Sequence, residues 1–501
     1  MSQRICGVIG LRVSACVLAV LAGNADTAFG AGSQSPVPEG EETKLHVRHI
    51  EDNLLPAVMV HGEAVETTTL ANKMHELGVP GVSIAVIHEG RVQWADGVGV
   101  SQAGGRAVDT DTIFQAASIS KPVTAIAAMA LVQSGELALD KDVNNYLSSW
   151  KLPESAATTT ERVTLRRLLT HTAGTTVHGF SGYARGVPVP SLIQVLNGEK
   201  PANSLPIRVE NVPGTAWSYS GGGYAVVQQL ISDVTRTPFA RLMSDRVLVP
   251  AGMKRSSFEQ PAAAGLRNNA ASPYDSKGQP VPGGAHTYPE QSAAGLWTTP
   301  SDLARLAINL QSSLAGKSDG ILNAATAREM VKSVGMGSQG IGFLVGGRAE
   351  HPWFMHGGSN QGFRCLLVAF DEGDGIVIMT NGDAGGDITK ALLRTVAAEY
   401  GWPDFQPKHH TAVQLATDAL DKFVGRYRLN ADATITVARK DGRLVAQSTG
   451  ENPEELTPEG PAAFFSRKTE AEATFKFGAD GRLAGMSLSV GGNTYEASRI
   501  R

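Results

Sequence analysis

Hydrophobic residues along the first part of the chain predict a helix, a hairpin and then a long buried helix. Residues 68–77 are predicted to be helical, and the apolar runs at residues 82–87 and 92–95 are typical of a β-hairpin. Residues 118–134 then carry small and apolar side chains on nearly every side. A helix without a polar face is expected to lie inside the protein rather than on its surface.

The next part of the chain is mostly helical in character, from residue 143 to about residue 304. Apolar runs bounded by turn residues then predict strands at residues 341–345, 353–356, 362–370 and 376–381, followed by a helix at residues 387–400. Because strands begin and end this region, we expect an α+β fold. Its antiparallel β-sheet would be built from both ends of the region and flanked by helices, beside an all-helical part.

The C-terminal part changes character again. Residues 401–417 have the composition of a linker. From residue 418 to residue 501, short alternating runs are separated by Asp-Gly and Gly-Gly turns. This pattern is typical of a meander of antiparallel strands, and we expect a small C-terminal β-barrel.

The N-terminus has the pattern of an exported protein. Arg4 and Arg12 precede an apolar run at residues 13–23, and small residues follow it. This is the order found in a secretory signal peptide, and the apolar run is too short to span a bilayer. We therefore expect a signal peptide over residues 1–31, an extension over residues 32–64, a periplasmic location and no stable membrane span.

The cysteines fit the same expectation. Cleavage after the signal peptide would remove Cys6 and Cys16 and leave Cys365 alone. The mature protein would then contain no disulfide, which suits a periplasmic enzyme with a large core of its own. The segment ending at Cys16 weakly resembles a lipoprotein-processing box, but the apolar residues that follow it argue against a lipid anchor.

Composition narrows the class of protein further. A chain of 501 residues is too long for one ordinary core, which favours two or three domains. The net charge is only -4 and no basic block occurs, so nucleic acid is not an expected partner. The twelve histidines contain no His-Glu-x-x-His motif and no cysteine pair occurs, so we expect neither a metal site nor a cofactor.

Candidate chemistry begins at the N-terminal end of the buried helix, where Ser118 and Lys121 are three residues apart. This spacing places both side chains on one helix face. Serine needs a neighbouring base to act as a nucleophile, and a buried lysine can serve as one. The Ser-x-x-Lys pattern alone is weak evidence, because Ser148 and Lys151 satisfy it in a predicted loop. The interpretation therefore depends on partners elsewhere in the chain.

Two later segments supply candidate partners. Tyr219 lies in a glycine-rich loop that leads into a helix, and His356 ends a strand before Gly357, Gly358 and Ser359. Glycines at such a place let a substrate approach the backbone. Each segment also has a structural explanation when taken alone. The tyrosine would cap the core from a loop, and the histidine would be a satisfied residue beside a glycine bulge.

Taken together and in this order, the three segments resemble the serine β-lactamase and penicillin-binding-protein superfamily. The resemblance covers about residues 65–400 and includes residues 168–174 and 294–303. It is strongest to the branch of class C β-lactamases, DD-peptidases and family VIII carboxylesterases. The tail, residues 418–501, resembles the lipocalin-like barrel appended to some peptidase and esterase members.

The resemblance implies a role for each site residue. Ser118 would be the nucleophile, Lys121 would keep it activated, and Tyr219 would exchange protons with the serine and the leaving group. His356 stands where the third motif of the family has lysine or histidine. The oxyanion hole would consist of the backbone N–H groups of Ser118 and Ser359. The choice between Lys121 and Tyr219 as general base stays open, because two such groups titrate as a coupled unit.

Two departures from the family pattern bear on the substrate. The second motif is commonly Tyr-x-Asn, whereas Gly221 stands here in the asparagine position. The asparagine normally hydrogen-bonds the side-chain amide of a β-lactam or peptidoglycan substrate. His356 also removes a permanent cation that would pair with the carboxylate of a β-lactam. We therefore expect hydrolysis of small esters through an acyl-enzyme, and the alternatives are a β-lactamase, a D-alanyl-D-alanine carboxypeptidase or D-aminopeptidase, and a non-catalytic penicillin-binding sensor or scaffold.

Other features receive simpler interpretations. Ser318 matches the G-x-S-x-G motif of α/β-hydrolases, but the segment before it is predicted to be a helix rather than the required strand. His171 is expected to hold a loop near the site, and His409 and His410 are expected to be solvated in the linker. The barrel would gate the cleft, mediate contacts in a homo-oligomer, or stabilise the fold.

Overall fold

The computed structural model describes residues 39–317, 320–430, 433–490 and 493–500. The predicted signal peptide with Cys6 and Cys16, and the alternative nucleophile Ser318, lie outside these residues. Cys365 is buried as a free thiol. In the described ranges, no helix has both the length and the apolar character needed to cross a membrane.

Helices and short strands alternate along the chain. The helices are α1 (Glu39–Asp52), α2 (Leu70–Leu77), α3 (Ser120–Gln133), α4 (Leu165–Leu169), α5 (Leu192–Asn197), α6 (Gly221–Thr235), α7 (Phe239–Met243), α8 (Ala264–Arg267), α9 (Gln291–Ala294), α10 (Pro300–Leu314), α11 (Ala324–Val331), α12 (Gly385–Glu399) and α13 (Thr417–Leu420). The strands before the C-terminal part are β1 (Val58–Val60), β2 (Gly81–His88), β3 (Arg91–Gly99), β4 (Phe114–Gln115), β5 (Trp297–Thr298), β6 (Leu344–Arg348), β7 (His351–Asn360), β8 (Phe363–Phe370), β9 (Gly375–Thr380) and β10 (Lys408–His410).

A six-stranded antiparallel sheet forms the centre of the first part, in the order β3-β2-β9-β8-β7-β6. The pairing of β2 with β9 joins the two ends of the region, as the sequence predicts. Side chains of β2 alternate between two cores, because successive residues of a strand face opposite sides of the sheet. Val82 and Ile84 pack in the core that includes α12, whereas Ala85 and Ile87 belong to the core that includes α3 and α10.

The buried helix α3 lies in the larger core, with Val123, Ala127 and Ala128 at most 1% exposed. The sequence predicts that this helix begins at Ser118. In the structure a short 3₁₀ turn, Ala117–Ile119, comes first and α3 begins at Ser120. The expected α+β fold is confirmed, with helices α4 to α9 forming the predominantly helical part beside the sheet.

The C-terminal residues form a closed antiparallel barrel, as expected. Its strands are β11 (Gly425–Arg428), β12 (Thr434–Lys440), β13 (Arg443–Ser448), β14 (Glu454–Pro458), β15 (Ala463–Ser466), β16 (Glu472–Phe477), β17 (Leu483–Val490) and β18 (Asn493–Ile500), and β11 pairs with β18 to close it. Phe423, Tyr427, Phe464 and Phe475 cluster in its core and are at most 3% exposed. Aromatic rings therefore form a large part of the described core of the barrel.

The junction before the barrel is more ordered than its composition predicts. Strand β10 pairs in parallel with β1, so residues of the predicted linker and extension are part of a small sheet. His410 is 6% exposed, its ring is stacked 4.2 Å from that of Phe465, and its Nδ1 lies 3.0 Å from the Glu459 carboxylate. The prediction of a solvated histidine is wrong for His410, because strand pairing turns its ring onto the barrel. His409 is exposed.

Candidate active site

A strained turn presents Ser118. Ala117, immediately before it, is fully buried and has a φ of 51°, in the left-handed region that residues other than glycine rarely adopt. The turn is fixed against the segment before β5. Ala116 donates its N–H to the Leu296 carbonyl at 2.8 Å, and the Leu296 N–H donates to Ser120 Oγ at 3.0 Å. Hydrogen bonds to the residues on both sides of Ser118 therefore hold this turn in place.

The predicted pair of Ser118 and Lys121 is brought together. Lys121 Nζ donates to Ser118 Oγ at 2.9 Å and to the Ala293 carbonyl at 2.8 Å. Lys121 is 2% exposed, so these two oxygens hold its amine in a dry environment. The second Ser-x-x-Lys pattern is arranged differently, because Lys151 Nζ donates to the carbonyls of Asn144 and Leu147.

Tyr219 lies over the same lysine, with Lys121 Nζ 4.9 Å from the centre of its ring. His171 holds the tyrosine loop, as the sequence predicts. Its Nδ1 accepts the Ser220 N–H at 3.1 Å, and its carbonyl accepts the Ser218 N–H at 2.8 Å. The rings of His171 and Tyr219 are 4.3 Å apart. Burial and the Lys121 charge keep the pKa of His171 well below its usual value, so the ring is neutral and its Nδ1 is free to accept.

His356 faces Tyr219 from strand β7, with 6.3 Å between the ring centres. The histidine is 6% exposed, and its Nδ1 donates to the Gly357 carbonyl at 2.6 Å. Burial, with a smaller effect of the Lys121 charge, lowers the pKa of His356 to about 3. The site therefore contains a neutral imidazole where a lysine would place a cation.

Close backbone packing brings β7 to the turn that carries Ser118. A Cβ added at Gly358 would lie 2.3 Å from the Ala116 carbonyl oxygen, so a glycine is required there. At Gly357 the nearest heavy atom to an added Cβ is 3.9 Å away. Ser359 follows on the same strand and is exposed. The sequence-predicted residues of the third motif thus lie beside the predicted nucleophile.

Two polar residues of the site are absent from the sequence prediction. Asn360 Nδ2 donates to Gln115 Oε1 at 2.9 Å and to the Ala294 carbonyl at 3.1 Å. Gln115 Nε2 donates to the His286 carbonyl at 2.7 Å. These bonds connect β7 with Gln115, three residues before Ser118. They also connect it with Ala294, which follows the residue whose carbonyl accepts from Lys121. Gln115 directly precedes the Ser-x-x-Lys stretch, but nothing local connects it with Asn360.

The described residues contain no group of three or more His, Cys, Asp or Glu side chains arranged to hold a metal ion. What the site does contain is a serine hydroxyl bonded to a buried amine, a tyrosine over that amine, and a strand edge beside the hydroxyl. Such an arrangement suits nucleophilic catalysis with proton transfer through side chains.

Comparison with known proteins agrees with this geometry. The family described as Beta-lactamase matches residues 67–399, and the Domain of unknown function (DUF3471) matches residues 409–498. Penicillin-binding protein 4 of Amycolatopsis lactamdurans is 27% identical over 337 residues, which are 64% of this chain and 86% of that protein. Esterase EstB of Burkholderia gladioli is 29% identical over 195 residues, which are 37% of this chain and 48% of that protein.

Among solved structures, the octameric penicillin-binding protein homologue from Pyrococcus abyssi superposes with a TM-score of 0.57 at 21% identity. The match covers 85% of this chain and 98% of that one, so it extends the likeness of fold beyond the catalytic region. The Beta-lactamase match alone spans well over half of the chain. The chain therefore belongs to the β-lactamase family and is a serine hydrolase.

Proposed function

We propose that this protein hydrolyses small carboxylic esters through an acyl-enzyme on Ser118. The observation that carries the proposal is the 2.9 Å hydrogen bond from Lys121 Nζ to Ser118 Oγ at a buried site. A serine hydroxyl in contact with a buried amine is activated for attack on a carbonyl carbon.

In the proposed reaction, Ser118 Oγ attacks the ester carbonyl and its proton passes into the coupled pair of Lys121 and Tyr219. The backbone N–H groups of Ser118 and Ser359 stabilise the tetrahedral oxyanion. Collapse breaks the bond to the alkoxy group, which leaves as an alcohol after taking a proton through Tyr219. Water then attacks the acyl-enzyme by the reverse proton path and releases the carboxylic acid.

Two residues support an ester rather than a β-lactam as the substrate. Gly221 offers no side-chain donor for the amide of a β-lactam or peptide. His356 is neutral, since its pKa is about 3, and so it supplies no charge for a substrate carboxylate. The similarity to a relative named as an esterase points in the same direction. The longer match to a relative named as a penicillin-binding protein makes a D-alanyl peptide the second candidate.

A turnover panel tests the substrate class. The purified enzyme is assayed with p-nitrophenyl butyrate, nitrocefin and a D-Ala-D-Ala peptide, in parallel with Ser118→Ala. We expect fast ester turnover that is lost in this variant, and retained turnover in Ser148→Ala, which changes the other Ser-x-x-Lys serine. Nitrocefin or peptide hydrolysis faster than ester hydrolysis would overturn the ester proposal.

We also propose a division of the chain into a removed signal peptide at residues 1–31, an extension at 32–64, a catalytic domain at 65–400, a linker at 401–417 and a barrel at 418–501. The two family matches, at residues 67–399 and 409–498, support the larger units. The charged, apolar and small-residue order of residues 1–31 supports export to the periplasm. N-terminal sequencing of the protein from a periplasmic extract tests the cleavage, and an N-terminus at Met1 would contradict it.

A further inference from the structure

Two buried side-chain amides connect separate parts of the candidate active site. Gln115 is 1% exposed and Asn360 is 5% exposed. Asn360 Nδ2 donates to Gln115 Oε1 at 2.9 Å and to the Ala294 carbonyl at 3.1 Å, which uses both of its hydrogens. Gln115 Nε2 donates in turn to the His286 carbonyl at 2.7 Å. The backbone carbonyls at both ends only accept, so they determine which end of each amide donates. The three bonds form one buried amide chain.

One end of the amide chain lies beside the carbonyl that holds Lys121. The last carbonyls of a helix have no partner within the helix and need donors from outside. In α9 the Ala293 carbonyl accepts from Lys121 Nζ at 2.8 Å, and the next carbonyl, that of Ala294, accepts from Asn360. A shift of the second carbonyl would carry the first with it, because the two belong to consecutive residues joined by a planar peptide bond.

The other end of the amide chain lies at the approach to Ser118. Gln115 is the last residue of β4, three residues before Ser118. Its own carbonyl accepts from Cys365 Sγ at 3.2 Å, so its backbone is also fixed to β8. Lys121 Nζ, 2.9 Å from Ser118 Oγ, thus lies between two supports that the amide chain connects.

We propose that Asn360 and Gln115 are positioning residues that hold Lys121 Nζ against Ser118 Oγ. The inference rests on the proposed function and adds two residues that act through Lys121 rather than on the substrate. A buried polar network in which every member is satisfied makes its surroundings rigid. Proton transfer depends on the distance between the reacting groups, so a small displacement slows the reaction. Loss of the amide chain slows the chemical steps and leaves substrate binding unchanged.

Steady-state kinetics with p-nitrophenyl butyrate test the proposal on Asn360→Ala, Gln115→Met and the double variant. Each single substitution removes the bond between the two amides. We expect kcat to fall about 10- to 100-fold in either variant while KM stays within about threefold, because only a transition-state interaction is lost. The double variant should lose little more than the larger single loss, because both residues act through one chain. Gln115→Met carries the test alone if Asn360→Ala does not fold.

Two kinetic results would overturn the inference. The first is a pair of losses in kcat that multiply in the double variant, which would mean that the two residues act independently. The second is a raised KM with a wild-type kcat, which would place the effect in substrate binding.

A fluorophosphonate probe measures the activation of Ser118 without an ester. Ser118 Oγ bonds to phosphorus, fluoride leaves, and the hydroxyl proton passes to the coupled pair of Lys121 and Tyr219. The second-order rate of labelling, followed by intact-mass spectrometry, should fall about tenfold or more in Asn360→Ala and in Gln115→Met. Labelling of these variants at the wild-type rate would overturn the inference.

The probe also lets the two proposals fail separately. Slower labelling of the variants, in a wild-type protein that does not turn over esters, contradicts the proposed function and supports the positioning role. Ser118-dependent ester turnover, with wild-type kcat and labelling rate in the variants, contradicts only the positioning role.

Gln311→Ala is the matched control. Gln311 is also a buried amide, 4% exposed, and its Nε2 donates to the carbonyls of Phe370 and Asp374 at 2.7 and 2.9 Å. Its loss should destabilise the fold in urea unfolding, whereas kcat per folded molecule and the labelling rate should stay within about twofold of wild type. An equal fall in kcat for Gln311→Ala and Asn360→Ala would assign the effect to lost stability and overturn the inference.

Discussion

Lys121 bonds two oxygens at once, the Ser118 hydroxyl and the Ala293 carbonyl, and Tyr219 covers it. Its amine therefore points at the reacting group without any freedom to rotate into solvent. His171 and His356 lie beside this amine and are neutral, because burial lowers both of their pKa values. Lys121 supplies the buried amine of the site, and the proposed chemistry depends on its position.

Replacing Lys121 should therefore abolish most of the activity. For Lys121→Ala we expect kcat/KM with p-nitrophenyl butyrate to fall by about 10³-fold, the range of an essential proton-transfer group. Lys151→Ala, in the second Ser-x-x-Lys pattern, should remain near wild type. An equal loss of kcat/KM in the two variants would mean that the substitutions act by destabilising the fold. Thermal unfolding of both variants checks whether they are destabilised.

Glu290 makes stability depend on pH. Its side chain is fully buried, neither carboxylate oxygen has a hydrogen-bond partner, and burial raises its pKa from 4.5 to about 7. The folded state thus binds the proton more tightly than the unfolded state, so the contribution of Glu290 to stability is fully present below pH 4.5 and is lost as the pH rises through about 7. The contribution is up to roughly 3 kcal/mol.

Glu290→Gln should remove this dependence. Measured by urea unfolding between pH 5 and pH 8, the free energy of unfolding should fall less with pH in the variant than in wild type. Glu51 and Asp371 also have raised pKa values and contribute a slope of the same sign, so the difference between the two proteins is the relevant quantity. Glu76→Gln, at an exposed position of α2, is the control. Parallel curves for wild type and Glu290→Gln would contradict the assignment.

At the scale of elements, the site is made where β7 meets the 3₁₀ turn before α3. Gly358 allows this contact, since an added Cβ would lie 2.3 Å from the Ala116 carbonyl. Gly358→Ala should push the strand from the turn, lower kcat/KM by more than about tenfold, and destabilise the fold by roughly 1–3 kcal/mol. At Gly357 the nearest heavy atom to an added Cβ is 3.9 Å away, so Gly357→Ala should lower kcat/KM and stability clearly less. A similar loss in both variants would show that close packing at Gly358 is not the cause.

Local sequence patterns predict the helices and strands of this fold better than they predict the contacts between them. The hairpin of β2 and β3 and the helix α3 follow from runs of neighbouring residues, and so does the barrel meander. The strain at Ala117 leaves no sequence signal, because alanine is also the best helix former. The bond from Asn360 to Gln115 spans 245 residues. Such contacts are decided by tertiary packing, so a single sequence does not contain a periodic signal for them.

At the scale of the molecule, the barrel is attached through β10, which pairs with β1, and through the stack of His410 on Phe465. Arg467 Nη2 also donates to Glu63 Oε1 at 2.8 Å, but both side chains are more than 40% exposed. Exposed ion pairs contribute about 1 kcal/mol or less. The buried stack is therefore the stronger part of the junction, and it shares no residue with the candidate active site.

His410→Ala should lower stability without changing the chemistry. We expect a loss of roughly 1–3 kcal/mol in thermal or urea unfolding, because a buried aromatic contact and its bond to Glu459 disappear. The value of kcat/KM per folded molecule should stay within about twofold of wild type. His409→Ala, at the exposed neighbouring position, should have a small effect on either quantity. A loss of activity in His410→Ala at a temperature where it remains folded would instead connect the barrel to catalysis.

The central claim is an acyl-enzyme on Ser118. The direct measurement is to quench the enzyme during turnover of p-nitrophenyl butyrate and to locate the acyl group by intact-mass and peptide mass spectrometry. We predict one acyl group on the peptide that contains Ser118, its absence in Ser118→Ala, and its presence in Ser148→Ala. An acyl group on another residue, or turnover that persists in Ser118→Ala, would contradict the claim.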